Sequence, residues 1–255
     1  MSTTPTAAIL VIGNEILSGR THDINVKYIA ECLKKVGIQL LEVRIIPDVE
    51  AMIIETVNAL RKRYVYVFTT GGIGATHDDI TAASVAKAFN RALIEHEGAL
   101  AALVVHYQER LNDNRRRMAL MPADCGYIAN PVSGAWGFFV ENVYCLAGMP
   151  SVMQAMFNEI LPTLKGGAPF ISQTITCDLV EGDIAHALAA IQENHPSVQI
   201  GSYPFYRKPP DIGVSFVVQG QDKAAVLAAT DAVNQMVIVF GGTLFKAESA
   251  DGASC

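Results

Sequence analysis

The segment Tyr64–Thr81 constrains the fold of this chain more than any other part of its sequence. It opens with the apolar run Tyr64–Phe68, whose β-branched and aromatic residues are typical of a fully buried strand. Gly71, Gly72 and Gly74 follow closely, and glycine permits positive φ and the close approach of another molecule to the backbone. Acidic residues and a stretch of helical composition come next. This order predicts a ligand site at the carboxyl edge of a parallel sheet, where open α/β sheets bind ligands.

The order of the elements predicts an α/β fold. Apolar runs alternate with helical periodicities, and this β-α-β-α-β-α order predicts a mainly parallel sheet with helices on both faces. A linker at Lys165–Pro169 separates a first domain, residues 1–167, from a small α+β unit, residues 168–247, and a polar tail, residues 248–255. The second unit reads β-α-β-β-α-β, with Val237–Phe240 as its last strand. The predicted strands of the first domain are Ala7–Ile12, Ile38–Ile46, Tyr64–Thr70, Tyr127–Asn130, Gly137–Val140 and Val143–Leu146, and its helices are Ile24–Val36 with Asp23 as N-cap, Glu50–Lys62, Ala82–Phe89, Glu97–Leu111 and Ser151–Leu164.

Composition excludes several classes of protein. A content of 51% hydrophobic and 17% charged residues fits a compact chain, and the net charge of −6 argues against a nucleic-acid binder, which would carry a basic excess. No apolar run reaches the roughly 20 residues that span a bilayer, and the N-terminus lacks the basic region of a signal peptide, so we expect no membrane association. The cysteines predict neither a zinc site nor a disulfide framework, and they favour the reducing cytoplasm. They are odd in number and scattered, at Cys32, Cys125, Cys145, Cys177 and Cys255.

The glycine loop is suited to binding an anion. Its backbone N–H groups and the partial positive charge of the following helix N-terminus favour phosphate, and the hydroxyls of Thr70 and Thr76 lie beside it. It is not a P-loop, because no Lys-Ser or Lys-Thr pair follows the glycines. The first strand also lacks the glycine pattern of a dinucleotide-binding fold.

Asp78 and Asp79 change the expected chemistry of this loop. Two carboxylates would repel a phosphate unless a cation lies between them, and hard oxygen ligands favour Mg²⁺ carried in with the phosphates. We expect one aspartate to cap the following helix and the other, Asp79, to serve the ligand or the metal. Glu15, in the loop after the first strand, is a further candidate metal ligand, and Asp48 follows the second strand at the same edge.

Three other features each allow two interpretations. His77 is either a general acid or base or an incidental loop residue, and Trp136 either stacks on a heterocycle or packs. The basic cluster Arg115–Arg117 is either a solvated helix end or a contact to a ligand phosphate.

Several motifs resemble those of one known family, the CinA family (competence/damage-inducible protein A) of the molybdopterin-binding MoaB/Mog superfamily. Ile12–Gly19 with Asp23–Asn25 resembles its opening motif, and Gly71–Thr81 matches its central signature. Asn130-Pro131 and Ala147–Pro150 resemble later motifs of the family. Three short segments look closest to the branch fused to eukaryotic FAD synthases: Ile46–Asp48, Asn142–Tyr144 and Ile200–Pro204. Departures from the family pattern are Ala75 and Ala147 in place of proline and Met118 in place of glutamine.

The resemblance implies a three-layer α/β/α Mog-like domain with a pocket for a pterin or nucleotide phosphate. It implies Mg²⁺-dependent nucleotidyl chemistry, and related domains are associated with cleavage of the pyrophosphate of ADP-ribose or FAD. The alternatives are a non-catalytic molybdopterin-binding module and a molybdopterin adenylyltransferase of molybdenum cofactor biosynthesis. It also implies a homo-oligomer. The implied residues are Asp78 and Asp79 for catalysis, Asp79 and Glu15 for a divalent metal, and Gly13, Asn14, Ser18, Gly19, Asn25, Thr70, Gly71, Gly72, Ile73, Gly74, Thr76, Gly148 and Pro150 for the ligand.

Overall fold

The computed structural model describes residues 4–206 and 212–245 and divides the chain into two compact units, Met1–Gly167 and Ala168–Cys255. The predicted fold class is confirmed: the first unit is an α/β domain with a mostly parallel sheet, and an additional unit of strands and helices follows it. Nowhere in the described ranges is a helix both long and apolar enough to cross a membrane.

The first unit is organised around one sheet of six strands in the order β2-β1-β3-β8-β7-β6. Strands β2, β1, β3 and β8 are parallel, and β7 runs antiparallel between β8 and β6. The strands are β1 (Thr6–Ile12), β2 (Gln39–Ile46), β3 (Tyr66–Thr70), β4 (Leu93–Glu95), β5 (Leu120–Pro122), β6 (Gly126–Ile128), β7 (Gly137–Val140) and β8 (Val143–Leu146). The helices are α1 (Asn14–Leu17), α2 (Asn25–Lys35), α3 (Glu50–Arg61), α4 (Thr81–Ala88), α5 (Glu97–Tyr107), α6 (Asp113–Arg116) and α7 (Pro150–Ile160), with 3₁₀ turns at Gln108–Arg110, Arg117–Ala119 and Leu161–Thr163.

Strand β1 shows why the sheet is covered on both faces. Its apolar side chains alternate between two cores, so Ile9 packs with α2 and α7 whereas Leu10 packs with α3, α4 and α5. Both side chains are fully buried, which stabilises the fold by about 1.5–3 kcal/mol each. A continuous apolar run is what a parallel strand buried on both faces requires. The three-layer arrangement follows from this run.

Two local predictions for the first unit need correction. The loop predicted after the first strand contains the short helix α1, and the predicted N-cap of α2 lies one residue too early. Ile24 occupies the cap position, and the carboxylate of Asp23 accepts a hydrogen bond from the Val26 N–H at 2.9 Å. The antiparallel pair β4–β5, whose strands have three residues each, was not predicted from the sequence.

The second unit is a four-stranded antiparallel sheet in the order β10-β11-β9-β12 with two helices. Its elements are β9 (Ile171–Cys177), α8 (Glu181–Asn194), β10 (Gln199–Tyr206), β11 (Ile212–Gly220), α9 (Lys223–Val239) and β12 (Leu244–Phe245). The predicted last strand Val237–Phe240 is wrong, because Val237 continues the buried face of α9 set by Val226 and Val233. The last strand begins only at Leu244.

Candidate functional site

A cavity of about 480 Å³ opens at the carboxyl edge of the six-stranded sheet. The loops that follow β1, β2, β3, β6 and β8 all contribute to it, because those strands point in the same direction. Its lining residues are Ile12, Gly13, Glu15, Asp48, Gly71, Gly72, Ile73, Gly74, Thr76, Asp78, Asp79, Tyr107, Met118, Asn130, Val132, Ser133, Ala135, Ala147, Gly148, Met149 and Val152. The structure thus brings the predicted glycine loop and acidic residues together at one sheet edge.

The glycine loop has a backbone that only glycine fits. Gly71 has φ +99°, and a Cβ there would lie 2.1 Å from the carbonyl oxygen of Ile12 at the end of β1. Gly72 has φ +69°, and a Cβ there would lie 2.1 Å from Oγ1 of Thr81. Both positions combine left-handed backbone with close approach of neighbouring atoms. The loop is therefore fixed against β1 and α4.

Thr81 ties this loop to the start of α4. It is fully buried, its N–H donates to the Gly72 carbonyl at 2.9 Å, and its hydroxyl donates to the Gly71 carbonyl at 3.0 Å. The Gly71 N–H donates to the Leu146 carbonyl at 3.1 Å. With these groups paired, the backbone N–H groups of this loop that can face an anion are those of Gly72, Ile73 and Gly74.

The Asp79 carboxylate accepts hydrogen bonds from within its own loop. Its Oδ2 accepts hydrogen bonds from the Thr76 N–H at 2.7 Å and from the Thr76 hydroxyl at 2.6 Å. The helix cap predicted for the other aspartate, Asp78, is wrong: Ile80 holds the cap position of α4, and no side chain caps it. A Cβ at Gly74 would lie 2.6 Å from Oδ2 of Asp79, so this glycine leaves room for the carboxylate.

Asp78 is exposed and lines the same cavity. Its pKa is lowered, chiefly by the neighbouring Thr76 side chain and further by its own backbone N–H and by His77. Nδ1 of His77 lies 3.9 Å from the Asp78 carboxylate, while the His77 side chain is 94% exposed and is not a lining residue. Asp78 therefore carries its negative charge at neutral pH.

Glu15 and Asp48 bring two further carboxylates to the cavity. The Glu15 carboxylate folds over Gly13, where a Cβ would lie 2.5 Å from Oε1, and Oδ2 of Asp48 accepts from the Asn14 N–H at 2.9 Å. Within residues 4–206 and 212–245, no cluster of three or more His, Cys, Asp or Glu side chains is placed to hold a metal by itself. Mg²⁺ commonly takes only one or two carboxylates and completes its shell with phosphate and water. A cation at these carboxylates would therefore need phosphate or water oxygens to complete its shell.

Asn25, a predicted ligand residue, has a different position. Its side chain is only 4% exposed, and its Nδ2 donates to the Gly148 carbonyl at 2.8 Å. A Cβ at Gly148 would lie 3.3 Å from the Gly71 Cα, so Asn25 holds the loop after β8 against the glycine loop. It does not line the cavity, and its buried Oδ1 has no hydrogen-bond partner.

The predicted site residues divide into those that line the cavity and those that do not. Those that line the cavity are Gly13, Glu15, Gly71, Gly72, Ile73, Gly74, Thr76, Asp78, Asp79 and Gly148. Those that do not line it are Asn14, Ser18, Gly19, Asn25, Thr70 and Pro150. Thr70 is buried within β3, and the Ser18 hydroxyl donates to the Glu15 carbonyl at 3.2 Å.

Asn130 lines the cavity but was not among the predicted site residues. It is 4% exposed, and its Nδ2 donates to the Ser133 hydroxyl at 2.7 Å and to the Ala135 carbonyl at 2.8 Å. Its Oδ1 accepts from the N–H groups of Val132 at 3.0 Å and Ser133 at 3.2 Å. This amide therefore shapes the whole loop on one side of the cavity. The turn-forming pair Asn130-Pro131 was the available signal.

We expect Asn130→Ala to lower the free energy of unfolding by about 2–4 kcal/mol, because buried partners lose their hydrogen bonds. This corresponds to roughly 4–16 °C in melting temperature for a unit of this size. Asn114→Ala is the matched control, since Asn114 is exposed on α6 and should change stability by less than about 0.5 kcal/mol. Equal melting temperatures for both variants would contradict the structural role of Asn130.

A smaller cavity of about 100 Å³ adjoins the first and shares Asp79 and Gly74 with it. Arg117 is the member of the basic cluster that lines it. Arg116 instead pairs with Glu95, with Nη2 and Oε1 2.8 Å apart, and the Arg115 guanidinium lies 4.9 Å from the ring centroid of Tyr107. Within this cluster, the phosphate-contact interpretation therefore rests on Arg117.

Trp136 also lines the smaller cavity. Its indole stacks on Tyr127, with ring centroids 4.5 Å apart, and packs against the core beneath α5. The structure thus shows the packing role that was one of its two interpretations.

Two protein families match successive parts of this chain. Residues 8–166 match the family described as "Probable molybdopterin binding domain", and residues 169–239 match the family described as "FAD synthase, middle domain". A protein of Archaeoglobus fulgidus is 33% identical over 232 residues, which cover 90% of this chain and 96% of that protein.

Some of the similar proteins carry the CinA or competence-damage name. A protein of Clostridium botulinum named for competence-damage induction is 30% identical over 211 residues, which cover 77% of this chain and 51% of that protein. The crystal structure of CinA from Thermoplasma acidophilum is 31% identical, with a TM-score of 0.60 over 64% of this chain and 99% of that one. The resemblance stated from the motifs is confirmed. This chain therefore belongs to the molybdopterin-binding domain family, in the CinA group whose second domain is of the FAD synthase middle-domain type.

Proposed function

We propose that this protein is a metal-dependent nucleotide pyrophosphatase that cleaves a dinucleotide of the ADP-ribose or FAD type. One observation carries the proposal: a rigid glycine loop and the carboxylates of Glu15, Asp78 and Asp79 line one cavity. A glycine loop at a sheet edge offers N–H groups to a pyrophosphate, whereas carboxylates beside it require a cation. This combination suits a phosphoanhydride substrate.

The residues of the loop have separable roles in the proposed reaction. The N–H groups of Gly72, Ile73 and Gly74 bind phosphate oxygens, because the Gly71 N–H is already paired with Leu146. Asp79, with Glu15, would hold a divalent cation such as Mg²⁺, which supplies charge neutralisation and lowers the pKa of water. The oxygen of Asp79 that does not contact Thr76 is the one available for this contact.

The chemical step is a hydrolysis. One phosphorus gains a bond to the water oxygen and loses its bond to the bridging oxygen, which leaves with the second phosphate. Asp78 lines the cavity, and its carboxylate would accept the proton of the water and release it to solvent. ADP-ribose would give AMP and ribose 5-phosphate, and FAD would give AMP and FMN.

The test is AMP release, measured by chromatography after incubation with ADP-ribose or FAD and Mg²⁺ or Co²⁺. We expect release that depends on the metal and stops when a chelator is added. No AMP from either substrate with either metal would contradict the pyrophosphatase.

Two alternatives of other classes draw support from the match to a molybdopterin binding domain. A non-catalytic molybdopterin-binding module would bind molybdopterin in calorimetry without releasing any product. An adenylyltransferase would consume ATP only when molybdopterin is present. We also propose a cytoplasmic location, which the odd number and scattered positions of the cysteines support.

A further inference from the structure

The two cavities of the first unit differ in the charge of the side chains that line them. Four carboxylates line the larger cavity, those of Glu15, Asp48, Asp78 and Asp79, and no lysine, arginine or histidine of the described residues does so. The smaller cavity shares Asp79 with the larger one and adds the guanidinium of Arg117. Among the described residues, Arg117 is therefore the only basic group that lines either cavity.

The side chain of Arg117 is available to a ligand, whereas its two neighbours are engaged. Arg116 forms an ion pair with Glu95, and the Arg115 guanidinium lies over the ring of Tyr107. Arg117 is exposed, and no residue in the described parts of the chain pairs with its guanidinium. Its charge is therefore not neutralised by a carboxylate of those residues.

The backbone at Arg117 is held in place from both sides. On one side, Arg116 donates two hydrogen bonds to the carboxylate of Glu95, one of them with Nη2 and Oε1 2.8 Å apart. On the other side, Ala119 is fully buried, and its carbonyl accepts a hydrogen bond from the His96 N–H at 2.8 Å. Arg117 begins the 3₁₀ turn between these two anchors. A free guanidinium thus extends from a fixed point in the cavity wall.

The position of Arg117 suits the second phosphate of a pyrophosphate. A pyrophosphate diester carries one negative charge on each of its two phosphates. The N–H groups of the glycine loop would take one phosphate, and Gly74 of this loop lines both cavities. The other phosphate, on the side of the smaller cavity, would then meet Arg117. A guanidinium is planar and matches two oxygens of a phosphate with two parallel N–H groups.

We propose that Arg117 binds this second phosphate and stabilises the charge that develops on it during hydrolysis. The assignment rests on the proposed function, because it names a further catalytic residue of that reaction. The water oxygen bonds to the phosphorus at the glycine loop, and the bridging oxygen leaves with its electron pair on the second phosphate. That phosphate gains one negative charge, which the guanidinium stabilises without transferring a proton. An arginine in this role binds the transition state more strongly than the substrate.

Steady-state kinetics of AMP release from ADP-ribose test the catalytic role. We expect Arg117→Ala to lower kcat by about 100-fold or more and to raise KM by at most about 10-fold, since most of the interaction is with developing charge. Arg117→Lys keeps the charge without the planar fork and should fall between the two proteins. Arg110→Ala is the matched control, because Arg110 is exposed and lines neither cavity. Equal kcat for wild type and Arg117→Ala would overturn the proposal.

Chemical rescue separates the guanidinium from an effect on structure. Guanidinium chloride, at a concentration below that which unfolds the protein, should restore part of kcat to Arg117→Ala and none to Asp79→Asn. Because Arg117 is exposed and unpaired, its removal should change the melting temperature no more than Arg110→Ala does. No recovery of kcat would contradict a role of the guanidinium in the reaction.

Calorimetry tests the phosphate contact without any reaction. The probe is methylenediphosphonate with Mg²⁺, in which a carbon replaces the bridging oxygen of pyrophosphate and prevents hydrolysis. We expect its dissociation constant to be about 10-fold weaker for Arg117→Ala than for wild type and unchanged for Arg110→Ala. Equal binding by wild type and Arg117→Ala, or none by either, would overturn the assignment of Arg117. Weaker binding by Arg117→Ala with no AMP release by the wild type would instead contradict the pyrophosphatase and leave Arg117 as a phosphate contact only.

Discussion

Asp79→Asn is expected to reduce AMP release from ADP-ribose or FAD by about 100-fold or more, the loss typical of removing one charge-stabilising group from a reaction site. The physical reason is that the two oxygens of the Asp79 carboxylate have different roles. Oδ2 accepts two hydrogen bonds from Thr76, and the second oxygen is available to a cation. An asparagine would keep its only oxygen on Thr76 and present an NH₂ group, which cannot bind a cation, to the ligand. The loop should therefore persist while the metal contact is lost.

The control for this variant is Asp124→Asn, which makes the same chemical change outside the cavity. Asp124 is exposed and has φ +55°, a conformation that asparagine tolerates well, so its kinetics and melting temperature should match the wild type. The measurement is kcat and KM for AMP release at several metal concentrations, with thermal unfolding of each protein. Unchanged kcat in Asp79→Asn would remove Asp79 from the proposed mechanism and leave the fold assignment intact.

The position of the site could be predicted from the sequence because it depends on rules that act along the chain. Apolar runs ending in glycine or polar residues mark the carboxyl ends of strands, and parallel strands bring these ends to one edge. Gly71, Gly72 and Asp79 therefore lie together in the structure as expected. The family motifs then indicated individual residues, and most of these residues line the cavity.

The direction of individual side chains could not be predicted in the same way. Asn25 begins α2, and whether its amide faces the ligand or the loop after β8 depends on how that loop packs. Thr70 belongs to a strand that is covered on both faces, which removes its side chain from the cavity. Asn130 has its role through contacts within its own loop, and a turn dipeptide alone does not reveal such a network.

The corrections to the fold have a common physical cause, because local preference and tertiary packing disagree there. Val237–Phe240 has the β-branched and aromatic composition of a strand, yet Val237 completes a helical row with Val226 and Val233 on the core. Burial of this row outweighs the local β preference, which is worth at most about 1 kcal/mol. A strand as short as Leu93–Glu95 has too few residues to show an alternation of apolar and polar side chains, so sequence periodicity could not reveal it.

Gly71→Ala is expected to give the largest loss of stability among these variants, about 3 kcal/mol or more. Its φ of +99° is unfavourable for alanine, and the new Cβ would lie 2.1 Å from the Ile12 carbonyl oxygen. That oxygen belongs to the backbone of a buried central strand and cannot move aside as a flexible side chain would. The loss corresponds to roughly 6–12 °C in melting temperature for a unit of this size.

Gly19→Ala separates the two contributions to that loss. Gly19 also has positive φ, +70°, but no atom lies within 4 Å of its Cβ position, so alanine should lose only the backbone preference of about 1–2 kcal/mol. Fluorescence of Trp136, the one tryptophan of the chain, follows unfolding of the first unit in urea. A larger loss for Gly71→Ala than for Gly19→Ala means that β1 and the glycine loop are in contact before any ligand binds. Equal losses would mean that the loop moves freely at Gly71, and a preformed anion site would then be contradicted.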